Sequence, residues 1–167
     1  MDLGLHGKLA IVTGSTKGIG YAIASGLARH GALVVVNGRT QAAADEAAAS
    51  IAKATGAPTS RLFAIAGDLA TRAGFDAFVA KVDKIGVPVE VLVNNHGIFD
   101  FKPFVAETDE DWQRYYDVNV LSQVRLSRRY LPGMLERKTG RILFSSSGVA
   151  VMPFSNAVGY SVSKASQ

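Results

Sequence analysis

Short runs of β-branched and aliphatic residues alternate along the chain with longer segments whose apolar positions recur at helical spacing. Lys8–Thr13, Ala32–Asn37, Leu62–Ala66, Val89–Val93 and Arg141–Ser145 are almost continuously apolar, the pattern of strands covered by helices on both faces. Between them, Ile19–Arg29, Gln41–Lys53, Arg72–Lys84 and the long stretch Asp109–Arg137 carry the three-to-four-residue period of amphipathic helices. Alternation of this kind predicts an α/β fold around a parallel sheet. Thr108 followed by Asp109, Glu110 and Asp111 is a helix start, a hydroxyl cap with acids at the positive end of the helix dipole. Gly140 is expected to mark the other end of that stretch.

The 167 residues suit one domain with a single sizeable core, and no linker, repeat or low-complexity tract divides 1–167. Apolar residues make up 48% and charged residues 19%, with mean hydropathy +0.17, which excludes a disordered chain. The absence of cysteine excludes disulfide scaffolds, thiolate metal centres and a cysteine nucleophile. With three histidines and no HxH or HExxH spacing, no metal site is expected. The apolar runs fall far short of the roughly 20 residues of a membrane span. Met1–Gly4 has neither the basic nor the apolar part of a signal peptide. A cytoplasmic protein that does not engage membranes is the expectation. The net charge of +4 raises the question of nucleic acid. Lysine and arginine are nevertheless dispersed among the acids, and the one cluster, Arg125, Arg128 and Arg129, sits at helical spacing as a solvated face would.

Chemistry concentrates at two places. The first strand runs directly into Thr13-Gly14-Ser15-Thr16-Lys17-Gly18-Ile19-Gly20 and then a helix. Glycines there let the backbone approach a pyrophosphate, and the free N–H groups of the helix attract its charge; a tight turn without a ligand reads the same residues. The second place is Ser145-Ser146-Ser147 followed by Tyr160 and Lys164. Tyrosine and lysine four apart share one face of a helix over Ala157–Ala165. Bringing a phenol from a pKa near 10 to about 7 takes roughly 4 kcal/mol, about what one cation at about 4 Å supplies at an effective dielectric near 20.

These motifs, in this order, resemble the classical short-chain dehydrogenase/reductase family, and the resemblance covers essentially the whole chain. The stretch from Thr13 to Gly20 is similar to its TGxxxGxG turn, Asp68 in Gly67-Asp68-Leu69 to its adenine-contacting acid, and Asn94-Asn95-His96-Gly97 to its NNAG element. Asn119 is similar to its helix asparagine, and Ser147, Tyr160 and Lys164 to its catalytic serine and YxxxK. The resemblance implies a Rossmann-type doubly wound parallel sheet in the order 3-2-1-4-5. It implies a nicotinamide cofactor held by Gly14, Thr16, Lys17, Gly18, Ile19, Gly20, Arg39, Asp68, Leu69, Asn95, Gly97, Tyr160 and Lys164. It further implies hydride transfer between that cofactor and a small-molecule carbonyl or alcohol, with Tyr160 as general acid/base, Lys164 as its tuner and ribose anchor, Ser147 (or Ser146) polarising the substrate and Asn119 ordering a proton relay. The acid expected after the second strand is replaced by Gly38-Arg39, and Lys17 adds a second cation, which favours NADP(H) over NAD(H). A non-catalytic dinucleotide-binding or regulatory module is the alternative; a hydrolase lacks its GxSxG.

Phe99, Phe101, Phe104, Met152 and Phe154 lie where substrate loops belong, a mild preference for an apolar carbonyl compound. His96 departs from the alanine of NNAG and receives no catalytic role. Family members continue past the YxxxK helix, and two more crossover units need about 60 residues at about 30 each. The chain is therefore expected to be a C-terminally incomplete form of an enzyme that is homodimeric or homotetrameric when whole, and to be unstable or weakly active alone.

Overall fold

The computed structural model describes residues 3–167; Met1 and Asp2, part of the stretch read for a signal peptide, lie outside it. Elements follow in the order β1 (Leu9–Val12), α1 (Gly18–Arg29), β2 (Leu33–Gly38), α2 (Gln41–Thr55), β3 (Leu62–Ala66), α3 (Arg72–Asp83), β4 (Val89–Asn94), α4 (Asp109–Tyr116), a π-helical segment Asp117–Leu121, α5 (Ser122–Glu136), β5 (Arg141–Phe144) and α6 (Val158–Ala165), with short 3-10 turns between some of them. All strand pairings are parallel and the sheet order is β3-β2-β1-β4-β5. The strands stand within a residue at each end of where the hydrophobic pattern predicts them.

The period-two alternation of strand side chains divides the interior in two. Leu9, Ile11, Val35, Ile65 and Leu92 face Phe75, Phe78, Val79 and Val82 of α3 and Leu126, Tyr130 and Met134 of α5. Ala10, Val12, Val34, Val36, Val91 and Val93 face Ala24 and Ala28 of α1 and Ala47, Ala48 and Ile51 of α2. The alanines let α1 and α2 lie close to the sheet, while the phenylalanines fill the deeper space opposite. Threonines start three helices: Thr40, Thr71 and Thr108 accept from the N–H groups of Ala43, Gly74 and Asp111. Asp111 reciprocates to the Thr108 N–H, completing a capping box.

Three sequence expectations change. The stretch Asp109–Arg137 is not one continuous helix, because a π segment at Asp117–Leu121 separates α4 from α5. Its C-terminal end is at Arg137, and Lys138, with φ 54°, takes the left-handed conformation expected of glycine. β5, expected to be covered on both faces, has Arg141, Leu143 and Phe144 exposed.

Candidate active site

The strand order reverses between β1 and β4, which places a crevice beyond their carboxyl ends, where open α/β sheets bind ligands. Gly14 leaves β1 with φ +61°. A Cβ on Gly14 would lie 3.1 Å from His96 Cα, and one on Gly20 would lie 2.4 Å from the Gly14 carbonyl oxygen and 2.5 Å from Asn95 Nδ2. The first turn of α1 therefore rests directly on the glycine turn and on the loop after β4. Lys17 occupies the N-cap position without a side-chain cap bond, which leaves the leading N–H groups of α1 to an anion. That combination, a backbone cradle with no room for a Cβ beside an uncapped helix N-terminus, fits a dinucleotide pyrophosphate.

Buried polar side chains hold the cradle. Thr13 Oγ1 accepts from the N–H groups of Asn95 at 2.9 Å and His96 at 2.8 Å, and Asn95 Nδ2 donates to the carbonyls of Thr13 at 2.9 Å and Gly14 at 3.2 Å. Asn37, 2% exposed, accepts from the Gly14 N–H on Oδ1 at 3.2 Å and donates from Nδ2 to the Ile65 carbonyl at 3.1 Å. It ties the ends of β1, β2 and β3 together. Sequence reasoning missed Thr13 and Asn37 as site supports; the only signal for Asn37 is an amide ending the apolar run Val34-Val35-Val36.

The cofactor candidates distribute along this edge. A Cβ on Gly38 would lie 2.4 Å from Thr16 Cγ2, so the methyl of Thr16 fills the space that an acidic side chain would need. Lys17 and Arg39 are both exposed at the crevice, as is Asp68, whereas Leu69 is buried beside it. Asp68 Oδ1 accepts from the Ala70 N–H at 3.1 Å. The imidazole of His96 is pushed below its ordinary value of 6.5, chiefly by burial; Asp68 opposes this, while Arg39 and Lys164 add to it. Of the three arginines read as a helix face, Arg125 donates to the Ala70 carbonyl and Arg129 pairs with Asp83 at 2.8 Å.

At the other end of the crevice, Asn119 is fully buried within the π segment. Its Oδ1 accepts from the Ile98 N–H at 2.8 Å, and its Nδ2 donates to the Ile98 carbonyl at 3.1 Å and to Ser163 Oγ at 2.8 Å. Lys164 is buried, with its ammonium donating to the Ser145 carbonyl at 2.9 Å and to Gln167 Oε1 at 3.3 Å; burial alone lowers its pKa. The ammonium sits 5.9 Å from the centroid of the Tyr160 ring and 3.5 Å from where a Gly97 Cβ would stand. It is thus anchored to the residues that follow β5 and α6, and not to the phenol beneath which the helical spacing places it.

Tyr160 is half-buried, packed edge-on against Phe99 at 4.9 Å and tilted against Tyr115 at 6.4 Å. Ser147 is half-buried at the end of the β5 loop, its Oγ accepting from the Val149 N–H at 3.4 Å, while Ser146 Oγ donates to the Lys164 carbonyl at 3.3 Å. Asn119 and Lys164 therefore share one hydrogen-bonded assembly, and Tyr160 joins it through ring contacts. Ser147 makes no hydrogen bond to Tyr160 among the described residues. Glu107, which sequence reasoning missed, accepts from the Gly159 N–H at 3.1 and 3.2 Å and so caps the helix that carries Tyr160. Its partner is 52 residues away, and nothing local in the sequence announces it.

Comparison with known proteins agrees with this fold. A family model described as short chain dehydrogenase matches residues 8–167. The chain is 43% identical over 164 residues to the uncharacterized oxidoreductase YvrD of Bacillus subtilis (strain 168), covering 98% of this chain and 60% of that protein. It is 41% identical over 167 residues to the uncharacterized oxidoreductase YvaG of the same organism, covering 100% and 61%. Among solved structures, L-sorbose reductase from Gluconobacter frateurii, complexed with NADPH and L-sorbose, superposes with TM-score 0.91 at 39% identity over 99% of this chain and 62% of that chain. A 3-oxoacyl (acyl-carrier-protein) reductase from Agrobacterium tumefaciens C58 with NADP bound gives TM-score 0.88 at 33% identity, over 98% and 61%. The chain spans about three fifths of the length of these relatives.

Proposed function

The chain belongs to the short chain dehydrogenase family, and on that premise we propose that it is the nucleotide-binding and catalytic part of an NADP(H)-dependent oxidoreductase acting on a carbonyl/alcohol pair. The observation that carries this reading is the buried Lys164 ammonium, held by the Ser145 carbonyl and flanked by Gly97, Asn119 and the Tyr160 ring, at the same sheet edge as the glycine cradle. The two solved relatives above hold NADPH and NADP. Lys17 and Arg39, with no acid at position 38, supply the charge that a 2′-phosphate requires.

In this reading Gly14, Thr16, Gly18, Ile19 and Gly20 bind the pyrophosphate. Asp68, Leu69, Asn95 and Gly97 line the adenosine and ribose path, and Lys164 holds the nicotinamide ribose. When bound, the nucleotide supplies or accepts the hydride. Tyr160 donates the proton to the carbonyl oxygen during reduction and removes it during oxidation. Ser147 Oγ turns from Val149 to donate to that oxygen, stabilising the charge that develops there. Asn119 fixes the Ile98 backbone and Ser163, which aligns the loop after β4 with α6. Lining by Phe99, Phe101, Met152 and Phe154, all well exposed, favours an apolar carbonyl compound.

The whole protein is proposed to be cytoplasmic and homo-oligomeric; no helix among the described residues is long and apolar enough to cross a membrane. The exposed apolar side chains of Tyr116 on α4 and Val162 on α6, beside an open groove lined by Trp112 and Tyr115, support a pairing surface there. That Ser147 and Tyr160 are not hydrogen-bonded to each other favours a second reading, a non-catalytic dinucleotide-binding module.

Nucleotide binding to the purified chain and turnover of a carbonyl panel separate the two. NADPH should bind more tightly than NADH, and Arg39→Ala should weaken NADPH roughly 10-fold or more while leaving NADH unchanged. Tyr160→Phe should abolish turnover at unaltered NADPH affinity. Equal affinity for both nucleotides would overturn the cofactor assignment, and turnover that survives Tyr160→Phe would overturn the catalytic assignment.

A further inference from the structure

Gln167 follows Ser163 by four residues and Lys164 by three, so α6 and the turn that continues it present all three on neighbouring positions of one face. Ser163 Oγ accepts from Asn119 Nδ2 at 2.8 Å, and one turn later Gln167 Nε2 donates to the Asn119 carbonyl at 2.7 Å. The same face therefore grips Asn119 by its side chain and by its main chain. The other arm of the Gln167 amide, Oε1, accepts from Lys164 Nζ at 3.3 Å. A primary amide is suited to this because it offers a donor and an acceptor on opposite atoms of one rigid plane. An ammonium has three donors; the Ser145 carbonyl and Gln167 engage two of them, which leaves one directed by this scaffold toward a ligand.

We propose that Gln167 is a positioning residue of the catalytic centre, whose side-chain amide ties the Asn119 carbonyl of the π segment to the Lys164 ammonium. The inference rests on Lys164 being the lysine that serves Tyr160 and the nucleotide. Its content is that the π segment sets the place of the ammonium through Gln167, without a contact to the phenol. The Gln167 oxygen also favours the charged form of a lysine that burial disfavours. Among the described residues, Tyr160, by its ring, and His96, which senses the lysine's charge, also face this ammonium.

The test follows the Lys164 ammonium by carbon NMR of lysine-labelled protein, together with NADP⁺ affinity and thermal stability, in the unaltered chain, Gln167→Leu and Gln167→Glu. Gln167→Leu removes the acceptor and should move the Lys164 titration to lower pH, with NADP⁺ affinity falling about 10- to 150-fold, the scale of one hydrogen bond to a charged group. Gln167→Glu keeps the shape and adds a negative charge, so the titration should move to higher pH. Opposite shifts are not the result of a packing role, which would treat both variants alike. The same midpoint in all three proteins overturns the proposal. If Gln167→Leu does not fold, the direction of the shift in Gln167→Glu decides. If none of the three binds NADP⁺, the nucleotide reading fails while the titration still decides the role of Gln167.

Discussion

Gly20 and Gly38 both lack room for a side chain, but what crowds them differs. At Gly20 the obstacle is the Gly14 backbone at 2.4 Å and an Asn95 amide already bonded to that backbone, so nothing can yield without opening the cradle. Gly20→Ala should lose about 3 kcal/mol or more in chemical denaturation, the upper range for overpacking; a loss below about 1 kcal/mol would contradict the close approach. At Gly38 the obstacle is the methyl of Thr16 at 2.4 Å, so Gly38→Ala should recover most of its lost stability when Thr16→Ser is added. His96 gives a pH dependence. Burial disfavours its imidazolium, so the folded state binds fewer protons than the unfolded state. The associated stability is fully present above the ordinary value of 6.5 and is lost as pH falls through the lowered folded value. His96→Asn should flatten that part of the stability profile, and an unchanged slope would show that the imidazole is not the group responsible. The glycine cradle was legible because its spacing is its function. Asn37, Glu107 and Gln167 were not, since each acts through a partner 23 or more residues away that only the fold brings near.

At the scale of elements, the apolar runs and the three-to-four period of the helices predicted the sheet and its covering helices, but the single core expected is divided in two, because strands apolar at almost every position do not mark which side chains enter which layer. The same periodicity concealed the π segment. Asp117-Val118-Asn119-Val120-Leu121 reads as helix, and one wider turn changes the hydrogen-bond pattern without a residue that announces it. Its consequence is that Asn119 turns inward, where it satisfies both the N–H and the C=O of Ile98 and so joins the loop after β4 to the helices. Asn119→Ala leaves both backbone groups of the half-buried Ile98 without this partner, and about 2–6 kcal/mol of stability should be lost, at about 1–3 kcal/mol for each unsatisfied group. Hydrogen exchange at the Ile98 amide should quicken together with that loss. A variant of unchanged stability with a slow Ile98 amide would mean that water replaces the side chain at no cost. The misplacement of the α5 terminus has a local cause. Lys138, two residues before Gly140, already adopts the left-handed conformation with φ 54°, an uncommon choice for a residue with a side chain.

Across the whole molecule, two apolar surfaces lie open, and they differ in the assemblies they permit. The face of α4 and α6 exposes Tyr116 and Val162 at 47% each around the open groove between them, a patch that can meet its own copy about a two-fold axis and then closes. β5 exposes Leu143 at 49% and Phe144 at 44%, and its far edge has no strand partner among the described residues. An unpaired strand edge is a template for further strands, and strand addition by a parallel neighbour is head-to-tail and does not close. The chain spans about three fifths of its relatives, so both surfaces bear on how it behaves alone. Sedimentation velocity over a concentration series should show a saturating dimer together with larger species that grow with concentration. Leu143→Lys, which puts a charge on the edge strand, should remove the larger species and keep the dimer. Tyr116→Lys should do the reverse. Neither substitution lies at the nucleotide cradle, so NADP⁺ affinity should be the same in both variants as in the unaltered chain. A single monomeric species at every concentration would mean that the exposed β5 is harmless. In that case the sheet tolerates its open edge, and the chain's stability comes from the two cores alone.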